Sequence, residues 1–140
     1  MPDCVFCAIV DGELPSHTVH ETDDALGFLD ANPLAKGHTL VVPKDHHERL
    51  DDLPSETATG FYGAVHEVVP AVEAALDAPA TTVAVNNGES AGQEVPHVHA
   101  HVVPRFPDDD AGPIHALFDD RPHRSAAEQS DLATVIAAEI

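Results

Sequence analysis

The chain has 140 residues, enough for one domain with a hydrophobic core, and its 43% hydrophobic content is that of a folded protein. Its 25 acidic residues against 6 basic ones give a net charge of −19, which disfavours a nucleic-acid partner, because phosphate backbones need a basic face. No segment approaches the roughly 20 apolar residues of a membrane helix, and no signal peptide is visible. We therefore expect a cytoplasmic protein with reduced cysteines.

The acidic residues are spread along the chain, and lysine occurs only at Lys36 and Lys44. A dispersed acidic surface with little lysine is typical of the cytoplasmic proteins of salt-loving archaea, in which salt screens the repulsion between like charges. The alternative interpretation is an acidic protein from an ordinary cytoplasm. Of the two, the scarcity of lysine favours the halophilic interpretation.

The predicted elements alternate short strands with two helices. Strands are predicted over 17–21, 25–30 and 38–43, followed by a helix that Ser55 caps and that continues to about residue 75. Pro70 is expected to kink or shorten this helix. Two further strands are predicted over 81–87 and 96–104, and a final helix over about 127–139. The expected fold is α+β, a single domain over 1–140 with a five-stranded antiparallel meander and one long helix packed on it.

Three histidines alternate with apolar residues in PHVHAHVVPR, residues 96–105. Side chains alternate between the two faces of a strand, so His97, His99 and His101 would lie on one face, about 6.6 Å apart. Such a row can chelate a catalytic Zn²⁺, or one neutral imidazole can attack an electrophile directly. The preceding loop, with Gly88 and Gly92, predicts a phosphate cradle and favours attack on phosphorus.

Cys4 and Cys7 form a C-x₂-C motif, which is compatible with zinc, redox chemistry or free thiols. Zinc requires two more ligands, and the sequence PKDHHERL offers His46 and His47 as alternatives. His97 is the candidate for the fourth ligand. We therefore expect a structural zinc site of the Cys₂His₂ type.

Three segments together resemble one family: CVFCAIVDGELPS (4–16), FLDANPLAKGHTLVVPKDH (28–46) and NNGESAGQEVPHVHAHVVPR (86–105). They are similar to the histidine triad (HIT) superfamily, and most similar to its Hint branch of nucleotide-binding hydrolases and transferases. The likeness covers about residues 4–106, whereas the C-terminal extension, 107–140, carries no recognisable motif. The resemblance implies a homodimer whose two sheets join, with one purine nucleotide pocket in each protomer.

The resemblance also implies roles for individual residues. His99 would be the nucleophile, His101 would contact the α-phosphate, and His38 would be a further catalytic histidine of the pocket. His97 would turn away to the structural zinc, which selects His46 as the ligand beside the two cysteines. The residues expected to bind the nucleotide, together with His101, are Phe28, Leu29, Asp30, Asn86 and Gln93.

The activity implied is hydrolysis or transfer of purine nucleoside 5′-phosphoramidates through a covalent nucleotidyl-histidine, with release of the nucleoside monophosphate and no catalytic cofactor. The alternatives are a dinucleoside polyphosphate hydrolase of the Fhit type and a non-catalytic nucleotide-binding or adaptor protein. A zinc hydrolase is the least favoured. One departure from Hint-type relatives is Glu94, where a small hydroxyl residue is common, because a carboxylate there would repel phosphate.

Overall fold

The structure is a computed structural model that describes residues 4–140. The chain divides into two compact units, one ending at Asp109 and the other comprising Asp110–Ile140. The prediction of a single domain over 1–140 is not tested by this division and stays a prediction. No helix within residues 4–140 has the length and apolar character needed to cross a membrane.

Within residues 4–109, the first unit contains five strands and two α-helices. In chain order the elements are α1 (Val5–Val10), β1 (Thr18–Glu21), β2 (Ala25–Leu29), β3 (Thr39–Pro43), α2 (Ser55–Leu76), β4 (Ala80–Ala84) and β5 (Ala100–Arg105). All neighbouring strands are antiparallel, in the order β1-β2-β3-β5-β4. The α+β class and the five-stranded sheet are thereby confirmed.

The sheet is covered on both faces by apolar side chains. On one face α2 packs against the sheet, and the buried cluster there includes Val41, Phe61 and Val102. On the other face α1 contributes Phe6 to a cluster with Phe28 and other buried strand residues. Every residue of β3 is buried, and successive side chains of a strand point to opposite faces. Both faces of β3 are therefore covered, and this strand occupies the centre of the unit.

The long helix α2 differs from its prediction at both of the residues singled out. Ser55 was expected to cap it, but Pro54 is the capping residue, without a side-chain hydrogen bond, and Ser55 is the first helical residue. Pro70 does not shorten the helix, which continues to Leu76. Pro70 lies on the exposed side, so water can satisfy the carbonyl group that its missing N–H leaves without a partner.

The strand that carries the histidine row begins later than predicted. β5 starts at Ala100, so only His101 of the three histidines lies within it. The N–H of His97 bonds to Val95 O at 2.8 Å, and the N–H of Val98 bonds to His47 O at 2.8 Å, which takes this segment out of the ladder with β3. The predicted strand over 96–104 is therefore corrected to Ala100–Arg105, and that over 81–87 to Ala80–Ala84.

The second unit contains a 3₁₀ turn, Ile114–Leu117, and helix α3, Ala126–Ala137, which matches the predicted C-terminal helix. Ser125 caps α3 in a reciprocal arrangement: its hydroxyl accepts from the N–H of Glu128, whose carboxylate accepts from the N–H of Ser125.

Candidate functional site

The C-x₂-C motif lies at the start of α1, a helix that the sequence analysis did not predict. Cys4 is the capping residue, and its Sγ accepts a hydrogen bond from the N–H of Cys7 at 3.2 Å. Residues three apart share one side of a helical turn, so both sulfur atoms point the same way. The segment VFCAIV has only six residues, too few to show a helical period, which is why α1 could not be predicted.

Two histidines complete a compact group of four donors with these cysteines. His97 Nδ1 lies 3.3 Å from Cys4 Sγ and 3.6 Å from Cys7 Sγ, and His46 Nδ1 lies 3.3 Å from Cys7 Sγ. One ligand atom from each of Cys4, Cys7, His46 and His97 lies within 4.8 Å of the others. Of the alternatives left open by the sequence, the structure brings His46 and not His47 into the cluster.

The donor chemistry of this cluster fits zinc. His97 is fully buried, and its Nε2 donates to Pro43 O at 2.8 Å, so Nδ1 keeps its lone pair facing the cysteines. Burial is the main cause that lowers the pKa of His97, which favours the neutral ring that a metal requires. Burial raises the pKa of the Cys7 thiol to about 11, so a bound cation would be needed to hold this residue as a thiolate.

The middle histidine of the row has one ring nitrogen fixed by the main chain. His99 Nδ1 donates to the carbonyl oxygen of His97 at 2.8 Å, which leaves Nε2 without a proton when the ring is neutral. His99 is buried, and the ring of Phe6 packs edge-on against it with centroids 5.1 Å apart. Phe6 was not singled out from the sequence, although its place between two cysteines was a usable signal.

The third histidine belongs to a second polar group. His101 Nδ1 lies 3.0 Å from His38 Nε2, which in turn lies 3.6 Å from Asp30 Oδ2. Asp30 follows β2 and His38 precedes β3, so the antiparallel pairing of these strands places them side by side. Burial, together with the neighbouring His99 and His38, lowers the pKa of His101 to about 4. Burial also lowers the pKa of His38, against the opposing effect of Asp30.

A cavity of about 850 Å³ opens beside these histidines, a size suited to a nucleotide-sized ligand. Its walls are largely apolar and come from α1, the segment before β1, the strands β2 and β3, the segment between them, the loop before β5 and the histidine row. The lining includes six of the predicted residues, namely Phe28, Leu29, Asp30, Asn86, His99 and His101. No Lys or Arg in the part of the chain that the structure describes lines this cavity, although Glu94 does.

The prediction that Gln93 binds the nucleotide is not tested by the structure and stays a prediction. Gln93 does not line the large cavity, and its side chain is occupied within the loop: Oε1 accepts from the N–H of Gly88, and Nε2 donates to the carbonyl groups of Glu48 and Val95. Gly88 and Gly92, with φ of 100° and 96°, have the left-handed conformations that allow the loop to turn. Gln93 therefore holds the shape of the loop.

The structure adds cavity residues that the sequence analysis did not single out. Val5 and Ile9 of α1 and the segment Pro15–His17 form part of the wall. An alternation pattern could not reveal them, because the segment before β1 belongs to no regular element and α1 was not predicted. Of these, Val5, Ile9 and Pro15 extend the apolar wall that begins at Phe28 and Leu29.

A five-stranded antiparallel sheet that places alternating histidines beside a nucleotide-sized cavity and a Cys₂His₂ cluster defines a histidine triad protein. Residues 11–108 match the HIT domain, and the chain belongs to this family.

Two similar proteins and one similar solved structure support membership of this family. An uncharacterized HIT-like protein of Methanocaldococcus jannaschii is 45% identical over 106 residues, covering 76% of this chain and 81% of that protein. Adenylylsulfatase HINT3 of Arabidopsis thaliana is 39% identical over 103 residues, covering 74% of this chain and 52% of the plant protein. The crystal structure of a Zn-bound histidine triad family protein from Mycobacterium smegmatis superimposes with a TM-score of 0.75 at 37% identity, covering 98% of each chain.

Proposed function

We propose that this protein is a nucleotidyl hydrolase or transferase that acts on purine nucleoside 5′-phosphoramidates through a covalent intermediate on His99. The observation that carries the proposal is the 2.8 Å hydrogen bond from His99 Nδ1 to the carbonyl oxygen of His97. It fixes the ring in the tautomer whose Nε2 has a free lone pair, on a residue that lines the cavity.

The proposed reaction has two displacements at phosphorus. In the first, the lone pair of His99 Nε2 forms an N–P bond while the bond from phosphorus to the substrate amine breaks, and the amine takes up a proton from solvent as it leaves. In the second, water attacks phosphorus and gives a proton back to solvent, the N–P bond breaks, and its electron pair returns to His99 Nε2. The products are the amine and the nucleoside monophosphate, and the enzyme is regenerated.

The surrounding residues support binding of a nucleotide in this pose. Asp30 offers carboxylate oxygens to the vicinal hydroxyls of a ribose, and Phe28 and Leu29 offer apolar surface to a base. His101 and Asn86 also line the cavity and would offer polar hydrogens to the phosphate. The assignment of Gln93 to the phosphate lacks such support, because its amide hydrogens already bond to main-chain carbonyl groups.

A zinc ion held by Cys4, Cys7, His46 and His97 would have a structural role in this proposal. The ion would supply a rigid cross-link between α1, the segment after β3 and the histidine row. The side chain of His97 would bind the ion, while the carbonyl group of His97 accepts the hydrogen bond from His99. In this proposal His99 is the nucleophile, so no catalytic metal is needed.

Glu94 favours an amine leaving group over an anionic one. Its exposed carboxylate lines the cavity, and a departing sulfate or polyphosphate would meet a like charge there. The known activity of the plant relative makes adenylylsulfate the appropriate competitor, and diadenosine polyphosphate tests the Fhit-type alternative. We expect adenosine 5′-phosphoramidate to have the highest kcat/KM of the three.

The test is intact-mass analysis after rapid quenching with adenosine 5′-phosphoramidate, followed by peptide mapping. We expect an adenylyl adduct on His99, and His99→Ala should lose both the adduct and several orders of magnitude in kcat while retaining affinity for AMP. His66→Ala, at an exposed histidine of α2, is the matched control and should behave as wild type. Turnover that survives His99→Ala would overturn the proposal, and AMP binding without any turnover would identify a non-catalytic binding protein.

A further inference from the structure

One peptide N–H determines the proton position on His38. The N–H of Leu34 points at His38 Nδ1 at a distance of 3.0 Å. A peptide N–H can only donate, so Nδ1 must accept with its lone pair. The His38 ring is almost completely buried, and burial lowers its pKa, so it carries a single proton. That proton is therefore on Nε2.

The same reasoning extends to His101. His38 Nε2 and His101 Nδ1 are 3.0 Å apart, which is a hydrogen-bond distance that needs one proton between them. His38 supplies this proton, so His101 Nδ1 accepts it. Because the lowered pKa of His101, about 4, keeps that ring neutral near pH 7, its own proton is on Nε2. Nε2 lies on the other side of the ring from His38.

Asp30, His38 and His101 also lie close enough together to resemble a metal site, with one ligand atom from each within 4.8 Å of the others. A metal would need a lone pair on His38 Nε2, which requires the proton to move to Nδ1. A proton on Nδ1 would face the N–H of Leu34, and two donors cannot form a hydrogen bond with each other. The group is therefore a directed chain of hydrogen bonds rather than a metal centre.

We propose that His38 is a positioning residue: held by the Leu34 N–H, it places the proton of His101 on Nε2, so that a neutral His101 presents an N–H to the phosphate oxygens of the bound nucleotide. This inference rests on the proposed function. Its importance follows from the cavity lining, in which no Lys or Arg of residues 4–140 is found. Within the described residues, the donors available to a phosphate in this cavity are neutral, and a neutral imidazole donates from one nitrogen only.

The direct test is ¹⁵N NMR of the histidine rings in the wild-type protein without nucleotide at neutral pH. We expect His38 and His101 each to show a protonated Nε2 and an unprotonated Nδ1. On addition of AMP, the Nε2–H of His101 should shift more than that of His38. A His101 ring protonated on Nδ1, or an even mixture of tautomers, would overturn the inference without any variant having to fold.

Variants test the consequence for turnover. His38→Leu removes the donor, so His101 should lose its tautomer preference and kcat should fall by roughly 10²-fold, the scale for loss of one oriented donor, with a smaller change in KM. His38→Gln keeps an N–H at the corresponding distance along the side chain and should recover most of this loss. His66→Leu is the control for the substitution itself. Equal kcat in wild type and His38→Leu would contradict the inference.

The results separate this inference from the proposed function. If the tautomers are as expected and no adduct forms on His99, the hydrogen-bond order stands and the proposed reaction fails. If the adduct forms while His101 is protonated on Nδ1, the reaction stands and the role of His38 fails.

Discussion

At the scale of single residues, His97 and His99 keep the proton on different ring nitrogens, Nε2 in His97 and Nδ1 in His99. Pro43 O accepts from His97 Nε2, and His97 O accepts from His99 Nδ1. The alternating spacing predicts that the three rings lie on one face of the segment. It does not predict the tautomers, because the deciding partner of His97 is 54 residues away in the sequence.

Asp30 offers a test of nucleotide recognition. Its Oδ1 accepts from the N–H of Asn32, so Asp30→Asn can keep this turn while removing the charged acceptor. We expect AMP binding, measured by isothermal titration calorimetry, to weaken by about 1–3 kcal/mol, the scale for a hydrogen bond to a charged group. Asp23→Asn, at an exposed aspartate, should leave the Kd unchanged. Equal affinity in Asp30→Asn and wild type would exclude Asp30 from the ribose site.

His101 predicts a pH dependence of stability. Burial and the adjacent His99 and His38 lower its pKa from 6.5 to about 4 in the folded chain. Between these values the unfolded chain binds a proton that the folded chain does not, so the free energy of unfolding falls as the pH decreases from about 6.5 to about 4. Below about pH 4 both states are protonated and this contribution to the slope ends.

Urea denaturation across this pH range measures the effect. His101→Gln should flatten the dependence relative to wild type, because it removes the titrating ring. A wild-type free energy of unfolding that stays constant or rises towards lower pH would contradict the expectation.

At the scale of elements, the long helix and the sheet could be predicted because their apolar periods extend over several residues. The start of β5 could not, because the segment before it bonds to Val95 and His47 rather than to β3. Even so, Val98, Ala100 and Val102 are all buried in one cluster, so the predicted alternation of faces is observed. Helix α1 was missed because six residues are too few to display a period.

The Cys₂His₂ cluster, which joins α1 to the histidine row, predicts that substitutions at the adjacent residues His46 and His47 have different effects on zinc content. His46→Ala should remove a zinc ligand, whereas His47→Ala should not, because only His46 lies in the donor cluster. We expect about one zinc per chain in wild type and His47→Ala by elemental analysis, and much less in His46→Ala, with a lower Tm. Equal zinc content and equal Tm in the two variants would refute the assignment.

At the scale of the whole molecule, the net charge of −19 is the dominant physical property. Repulsion among the acidic groups opposes folding, and salt shortens its range from about 10 Å at 0.1 M to about 3 Å at 1 M. We expect the free energy of unfolding to increase over this range of KCl concentration. A protein adapted to low salt would show little change or a decrease.

A homodimer remains a proposal drawn from the resemblance to Hint-type proteins. Multi-angle light scattering in the salt that best stabilises the fold should give twice the chain mass of 14.8 kDa. A mass equal to that of one chain would refute the dimer while leaving the cavity, which the first unit forms by itself, unaffected.

The carbonyl group of His97 that accepts from His99 belongs to the backbone, whereas the cysteine cluster uses the His97 side chain. Every amino acid supplies the same carbonyl oxygen, so a substitution at position 97 can remove the side chain from the cluster without removing the main-chain acceptor. Replacing this histidine would remove one donor of the Cys₂His₂ cluster and still leave the main-chain acceptor that orients His99. The alignment of the His99 ring is thus protected against point mutation at the very residue that provides it.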